Sequence, residues 1–308
     1  MAKKEKTQGI VLFAFGKHTY YWAMYNLIFS IRNHSPDIKI TCFVGDKEYM
    51  GRYCPDIFDV ADSIQEIKQE HLYTDGRFDP GKLKVNIYEY LPYDINLYLD
   101  VDAICLKDIN PLLEDLKSRN KQYMSHTVGY HTIDMGRKIE SMQWAFADDI
   151  WDVYGLGKKA KLPAINSSLQ YIEKGQTSEL VYKTAKELYE NNPLPLSKLR
   201  MKWGNGQPDE LYMNISFALL GYDPACTEIG HDGAEIGHIH FAMSRGLSFK
   251  EVKERYYFQS YYGGVGFTAR FYTEWLDRML YSMQRAKGAG HQYTIDRILQ
   301  YKHADNDK

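Results

Sequence analysis

The 308-residue sequence has no apolar run long enough to cross a membrane. Its first apolar stretch, residues 10–15, follows a lysine-rich start and is too short for the hydrophobic core of a secretion signal. We therefore expect a cytoplasmic protein without a transmembrane segment.

Cysteine is scarce and scattered, with no C-x-x-C pair and no metal-ligand spacing among the four residues Cys42, Cys54, Cys105 and Cys226. This distribution argues against a disulfide framework and against a zinc ribbon. Free thiols in a reducing cytoplasm are the simplest interpretation.

Neither sign of charge is in large excess, because 38 Lys and Arg face 40 Asp and Glu. A globally basic nucleic-acid-binding protein is therefore not expected. The exception is the segment 245–308, which holds eleven Lys and Arg but only seven Asp and Glu among many Tyr and Phe. Two interpretations stay open for this segment: a solvated helical surface, or a docking surface for an acidic acceptor.

Strand patterns alternate with helix patterns along most of the chain. Apolar runs predict strands at 10–15, 39–44, 57–60, 95–99, 103–106, 164–171 and 235–241. Apolar residues at helical spacing predict helices at 20–31, 82–91, 178–189 and 209–220, and one that begins at Asn110-Pro111; residues 127–160 are predicted to be a loop-and-helix insertion. The alternation indicates an α/β domain over 8–245. Residues 246–308 are predicted to be a helical C-terminal extension for acceptor binding or oligomerisation.

Two aspartates follow the apolar strand pattern at 95–99. Asp100 and Asp102 are two residues apart, so in an extended chain their carboxylates point to the same side. Mg²⁺ or Mn²⁺ bound to a diphosphate needs only one or two protein carboxylates. Open α/β sheets bind ligands at the carboxyl ends of their strands, so we predict a metal-diphosphate site here. Exposed turn carboxylates are the alternative.

The run from Leu97 to Ile109, with Asp100-Val101-Asp102 inside it, closely resembles glycosyltransferase family 8, the glycogenin and bacterial galactosyltransferase group. The resemblance implies a GT-A fold, a Rossmann-like mixed sheet flanked by helices. It also implies a UDP-sugar donor, manganese, and retention of the anomeric configuration of the sugar.

Upstream motifs extend the resemblance. Lys82 lies where the family has a basic residue that reaches the donor. The segment Ala14-Phe15-Gly16 matches the end of the uracil-binding strand, and Tyr20 matches an aromatic residue a few positions later. Tyr20 is predicted either to stack on the base or to face the core as part of the helix pattern.

Downstream motifs follow in the family's order. Asn166 and Ser167 match an Asn-Ser-Gly segment that lines the donor sugar. Asp209 and Glu210 match an Asp-Gln pair, with Glu in place of Gln near the reacting carbon. We predict catalytic roles for Glu210, Asp209 and Asn166. Glu210 is predicted to stabilise positive charge on the sugar or to act as a nucleophile. The alternative for Asp209 is a helix N-cap.

The last match is Ile239-His240-Phe241, whose imidazole is the third protein ligand of the metal in the family. The resemblance then fades, since the family's Lys-Pro-Trp is missing. Arg245 or Lys250 is the predicted substitute for its diphosphate-binding lysine.

These motifs together predict a metal-dependent, retaining glycosyltransferase that transfers a hexose or pentose from a UDP-sugar to a hydroxyl group. The acceptor is left open among a glycan or lipid-linked glycan, a protein, and a modified nucleic-acid base. A nucleotidyltransferase of the same fold and a non-catalytic sugar-nucleotide-binding protein are the alternatives. A homo-oligomer is also compatible with the sequence.

Overall fold

The computed structural model describes residues 5–135, 145–191, 194, 198, 208–225, 238–240, 251 and 254–260. The chain divides into two compact units. The first unit comprises Met1–Thr7, Ile67–Asn96 and Arg119–His231, and the second comprises Gln8–Glu66, Leu97–Ser118 and Asp232–Lys308.

Strands and helices alternate as expected. The strands are β1 (Gln8–Ala14), β2 (Lys39–Val44), β3 (Ser63–Glu66), β4 (Tyr73–Thr74), β5 (Arg77–Phe78), β6 (Ile95–Leu99), β7 (Ala103–Cys105), β8 (Tyr123–His131), β9 (Leu162–Glu173), β10 (His238–His240) and β11 (Phe258–Ser260). The helices are α1 (His18–His34), α2 (Lys47–Tyr53), α3 (Ile57–Val60), α4 (Pro80–Val85), α5 (Asn110–Ser118), α6 (Ala147–Tyr154), α7 (Gln176–Asn191) and α8 (Asp209–Leu220).

Most described strands belong to a mixed sheet with the order β3-β2-β1-β6-β9-β8. Strands β1, β2 and β3 are parallel neighbours, whereas β8 and β9 are antiparallel. The strands β1 and β6 are almost entirely buried, which explains their continuous apolar sequences. The prediction of an α/β fold with a mixed sheet is confirmed.

Strand β7 leaves this sheet and joins a smaller one with the order β10-β11-β7. The segment that begins with β7 is anchored to α1 by two serines. Ser30 accepts a hydrogen bond from the backbone N–H of Cys105 at 2.9 Å, and Ser35 accepts one from that of Ile109, also at 2.9 Å. Both serines are buried, so they satisfy backbone groups that water cannot reach.

In the first unit, α8 packs against both α7 and β9. Strand β9 is interrupted by a bulge, because consecutive residues Ser125 and His126 of β8 lie opposite Gln170 and Asn166 of β9. Three residues of β9, 167–169, therefore have no partner on β8. The buried Ser125 hydroxyl lies 2.7 Å from the carbonyl of Asn166 and 3.0 Å from that of Leu169, so it bridges the two sides of the bulge.

Several sequence predictions differ from the structure. Residues 57–60 form helix α3 instead of a strand, with the N–H of Ala61 donating to the carbonyl of Ile57. A short apolar run suits either structure, and here Pro55 opens a helical turn. Strand β8 occupies part of the predicted insertion at 127–160. Residues 258–260 form strand β11 instead of helix, and the rest of the extension lies largely outside the described residues.

The structure also bears on the membrane and thiol predictions. Within the described ranges, no helix has the length and apolar character needed to cross a membrane. Cys42, Cys54 and Cys105 are buried free thiols, as expected. Burial raises the pKa of Cys105 to about 12, so this thiol is protonated and unreactive at neutral pH.

The anchoring of β7 gives a direct test. Ser30→Ala should lower the free energy of unfolding by about 1–3 kcal/mol, because the buried N–H of Cys105 loses its acceptor. Urea unfolding followed by circular dichroism would measure this change. Ser118→Ala is the control, since it removes an exposed helix-end hydroxyl and should change stability by less than about 0.5 kcal/mol. Equal stabilities of the two variants would contradict the anchoring role.

Candidate functional site

The two aspartates lie where the chain passes from β6 to β7. Strand β6 ends at Leu99, and Val101 and Asp102 form a bend before β7 begins at Ala103. The expectation of an extended chain from Asp100 to Asp102 is therefore wrong, because the chain bends here as it changes sheets. Both carboxylates are partly exposed at the carboxyl end of β6, whereas Val101 between them is buried.

Asp100 has a defined partner inside the second unit. The Tyr98 hydroxyl donates a hydrogen bond to Oδ1 of Asp100. Tyr98 is itself buried, and its ring lies 5.9 Å from that of Phe13 on β1. A buried donor that fixes the orientation of a carboxylate is typical of the shell behind metal ligands.

Strand β10 brings the backbone of His240 into the same small sheet. His240 lies opposite Ser260 of β11, and Ser260 lies opposite Ala103 of β7. Two strand spacings, about 10 Å, therefore separate the backbone of His240 from the residue after Asp102. The side chain of His240 and all of Arg245 lie outside the described residues. Among the described side chains, no group of three or more His, Cys, Asp or Glu is close enough to hold a metal.

The predicted base-binding segment lies at the end of β1. Ala14 is buried and Phe15 is partly buried. Gly16 has φ of 83°, a left-handed conformation that favours glycine. Tyr20 is 41% exposed although residues 21–31 of α1 are all buried. The core-facing alternative for Tyr20 is therefore wrong.

A second cluster of predicted site residues lies in the first unit. The bulge in β9 frees the backbone N–H of Ser167, which donates to Oε1 of Glu210 at 3.1 Å, and the Ser167 hydroxyl donates to the same oxygen at 3.2 Å. The side chain of Asn166 stabilises the bulge locally, because its Oδ1 accepts from the N–H of Ser168 at 2.9 Å. The structure thus brings Asn166, Ser167 and Glu210 together.

Asp209 and Lys84 complete this cluster. Lys84 Nζ lies 3.8 Å from Oδ2 of Asp209 and 3.4 Å from the Ser167 hydroxyl. Helix α8 begins at Asp209, its N-cap is Pro208, and no side chain caps it, so the N-cap alternative for Asp209 is wrong. Lys82 lies elsewhere: its Nζ donates to the carbonyl of Tyr73 at 3.0 Å. Sequence analysis missed Lys84, because nothing in a six-residue helix distinguishes two lysines two positions apart.

The cluster holds a carboxyl group with an unusual protonation equilibrium. Burial, followed by the negative charge of Asp209, raises the pKa of Glu210 to about 7. The hydrogen bonds from Ser167 and the positive charge of Lys84 act in the opposite direction. Glu210 can therefore exist both protonated and ionised near neutral pH, which suits a group that exchanges protons or stabilises charge.

Comparison with known proteins supports the fold assignment. The sequence matches no protein-family model and no curated protein. The apo structure of WbbM, a bifunctional glycosyltransferase, superposes with a TM-score of 0.56 at 11% identity over 95% of this chain and 52% of the other. This chain therefore spans about half the length of WbbM. An active-site mutant of LgtC, with glutamate in place of glutamine, superposes with a TM-score of 0.50 at 13% identity over 93% and 99% of the two chains.

These two similarities show that the chain has the GT-A fold implied by the resemblance to glycosyltransferase family 8. At 11% and 13% identity they extend to the fold and no further. The activity, the donor and the acceptor must be argued from the residues of this chain.

The raised pKa of Glu210 predicts a pH-dependent stability. In the unfolded chain the carboxyl titrates near 4.5, so the folded protein holds an extra proton between about pH 4.5 and 7. The contribution of Glu210 to the free energy of unfolding is fully present below pH 4.5. It is lost as the pH rises through 7, and the loss is at most about 3 kcal/mol. The variant Glu210→Gln should lack this fall and exceed the wild type in stability at pH 8.

Chemical unfolding at pH 5 and pH 8 would measure the effect. Glu187→Gln, at an exposed position on α7, is the control for loss of one carboxylate. If the wild type and Glu210→Gln show parallel pH profiles, Glu210 is not held in its protonated form.

Proposed function

We propose that this protein is a retaining glycosyltransferase that transfers a hexose or pentose from a UDP-sugar to an acceptor hydroxyl, with Mn²⁺ or Mg²⁺. The proposal rests chiefly on one observation: a GT-A sheet ends in Asp100 and Asp102 at the carboxyl end of β6. This edge is where such sheets bind ligands, and oxygen donors are what these cations prefer.

The donor diphosphate would be held by groups of the second unit. Asp100 and Asp102 would bind the cation, with His240 as the proposed third ligand, and Tyr98 would keep Asp100 in one orientation. The bound cation would supply positive charge to the leaving diphosphate. Arg245 is the proposed phosphate-binding cation of this unit. Lys82, which belongs to the first unit, stays a separate prediction as a phosphate-binding residue. The segment Ala14-Phe15-Gly16 would hold the base, with exposed Tyr20 available to stack on it.

Within the first unit, the Glu210 cluster is the proposed site for a sugar. Glu210 keeps one oxygen on Ser167, which leaves its second oxygen available to the sugar. In its protonated form Glu210 would donate a hydrogen bond to a ring hydroxyl, and in its ionised form it would stabilise positive charge on the reacting carbon. Asp209 and Asn166 would bind further hydroxyl groups. The acceptor class and a homo-oligomeric state remain predictions.

The metal-binding role can be tested by release of UDP. With Mn²⁺ and UDP-glucose or UDP-galactose, the wild type should release UDP. Asp102→Asn should lower the rate at least about 100-fold, because one carboxylate ligand is lost. Circular dichroism would check that the fold is intact, and Asp115→Asn on the exposed face of α5 is the matched control. Binding without UDP release by the wild type would identify a non-catalytic protein instead.

The roles of the two lysines of α4, Lys82 and Lys84, can be distinguished by the pH dependence of the reaction rate. Lys84→Met removes a positive charge that lowers the pKa of Glu210, so the acid limb of the rate profile should move to higher pH. Lys82→Met should leave the limb in place, because its Nζ contacts the Tyr73 carbonyl instead. Initial rates of UDP release from pH 5 to 9 would measure the limb. If the acid limb of Lys84→Met lies at the same pH as that of the wild type, Glu210 is not the group whose ionisation controls the rate.

A further inference from the structure

Asn26 is a buried polar residue without an evident structural purpose. It lies in the middle of α1, is 0% exposed, and neither atom of its amide group has a hydrogen-bond partner among the described residues. Burial of an unpaired amide is unfavourable, and an apolar residue of the same size would fit this environment better. No partner for this amide lies in the part of the chain that the structure describes.

The neighbours of α1 locate this amide. Ser30, one turn after Asn26 and on the same helix face, contacts the N–H of Cys105. Ser35 contacts Ile109 and also donates to Oδ1 of Asp108 at 2.7 Å. Helix α1 and the segment that follows β7 thus run side by side in the same direction.

The position of Asn26 follows from these anchors. Four residues of helix span about 6 Å, which equals about two residues of strand. Asn26 is therefore about level with Ala103, two residues before Cys105. Ala103 is buried and directly follows Asp102. Across the small sheet, Ser260 is paired with Ala103, and its buried hydroxyl also has no partner in the described part of the chain.

We propose that Asn26 is a positioning residue for Asp102: its amide is placed to hydrogen-bond the Asp102 carboxylate, directly or through one water, when that carboxylate holds a divalent cation. This inference rests on the proposed function. A neutral amide suits the role, because its N–H donates to a carboxylate without repelling the cation as a lysine would. The Asp102 carboxylate would then give this amide the hydrogen bond that the described residues do not.

The test separates stability from metal binding. Asn26→Leu should raise the Tm of the ligand-free protein by about 2–6 °C, because an unpaired amide is removed. The same variant should bind Mn²⁺ in the presence of UDP about tenfold more weakly, measured by the electron paramagnetic resonance of free Mn²⁺. Tyr154→Phe is the matched control. It removes a different buried polar group on α6, a hydroxyl without a hydrogen-bond partner among the described residues, and should leave Mn²⁺ affinity unchanged.

The outcomes are distinguishable. If the wild type binds no Mn²⁺ with UDP, the proposed function fails at its metal site. If the wild type binds Mn²⁺ and Asn26→Leu binds it equally well, the positioning role is overturned and the proposed function stands. If Asn26→Leu and Asn26→Ala both lower the Tm and both bind Mn²⁺ as the wild type does, the inference is overturned. Should the leucine variant not fold, Asn26→Ala would replace it in the same Mn²⁺ comparison.

Discussion

The passage of the chain from β6 to β7 is the constraint on which the second unit depends. Every strand must pair its backbone groups, and a chain that leaves one sheet for another must expose a few residues between the two ladders. Asp100 and Asp102 occupy this gap, where partly exposed carboxylates are tolerated, while buried Val101 holds the bend against the core. Because Ser30 and Ser35 anchor the following segment to α1, the gap has a fixed position.

A second break in a ladder has the same consequence in the first unit. The bulge in β9 releases the backbone N–H of Ser167 from strand pairing, and that N–H becomes the donor to Glu210. Ser125 holds the two sides of the bulge together, so the released group is kept in place. Both sets of candidate residues therefore lie where regular pairing stops, because only there are backbone groups and polar side chains free to meet a ligand.

The sequence predicted best those elements whose apolar pattern matches the residues that the structure buries. Strands β2 and β6 and helix α8 have the predicted bounds, because buried parallel strands are continuously apolar and α8 begins at an acidic pair after proline. The pattern at 57–60 was compatible with strand and helix, and its tertiary contact with α1 decided for the helix. Strand β11 was not predicted, because its three residues are too few to show a strand pattern. The Asp100 and Asp102 pair and Glu210 were predicted from motifs, whereas Lys84 and the bulge depend on contacts between distant segments.

The charges around Glu210 explain why its protonation is balanced near neutral pH. Two adjacent carboxyl groups begin α8, and the lysine close to them, Lys84, forms an ion pair with Asp209 at 3.8 Å. One carboxylate can thus be paired while the other is disfavoured by burial and by its neighbour, so a proton stays on Glu210 until the pH nears 7. Ser167 limits this rise by donating two hydrogen bonds to the ionised form. A glutamine at this position would have no such protonation equilibrium. A sugar hydroxyl that donates a hydrogen bond to Glu210 would favour its ionised form, and one that accepts a hydrogen bond would favour its protonated form.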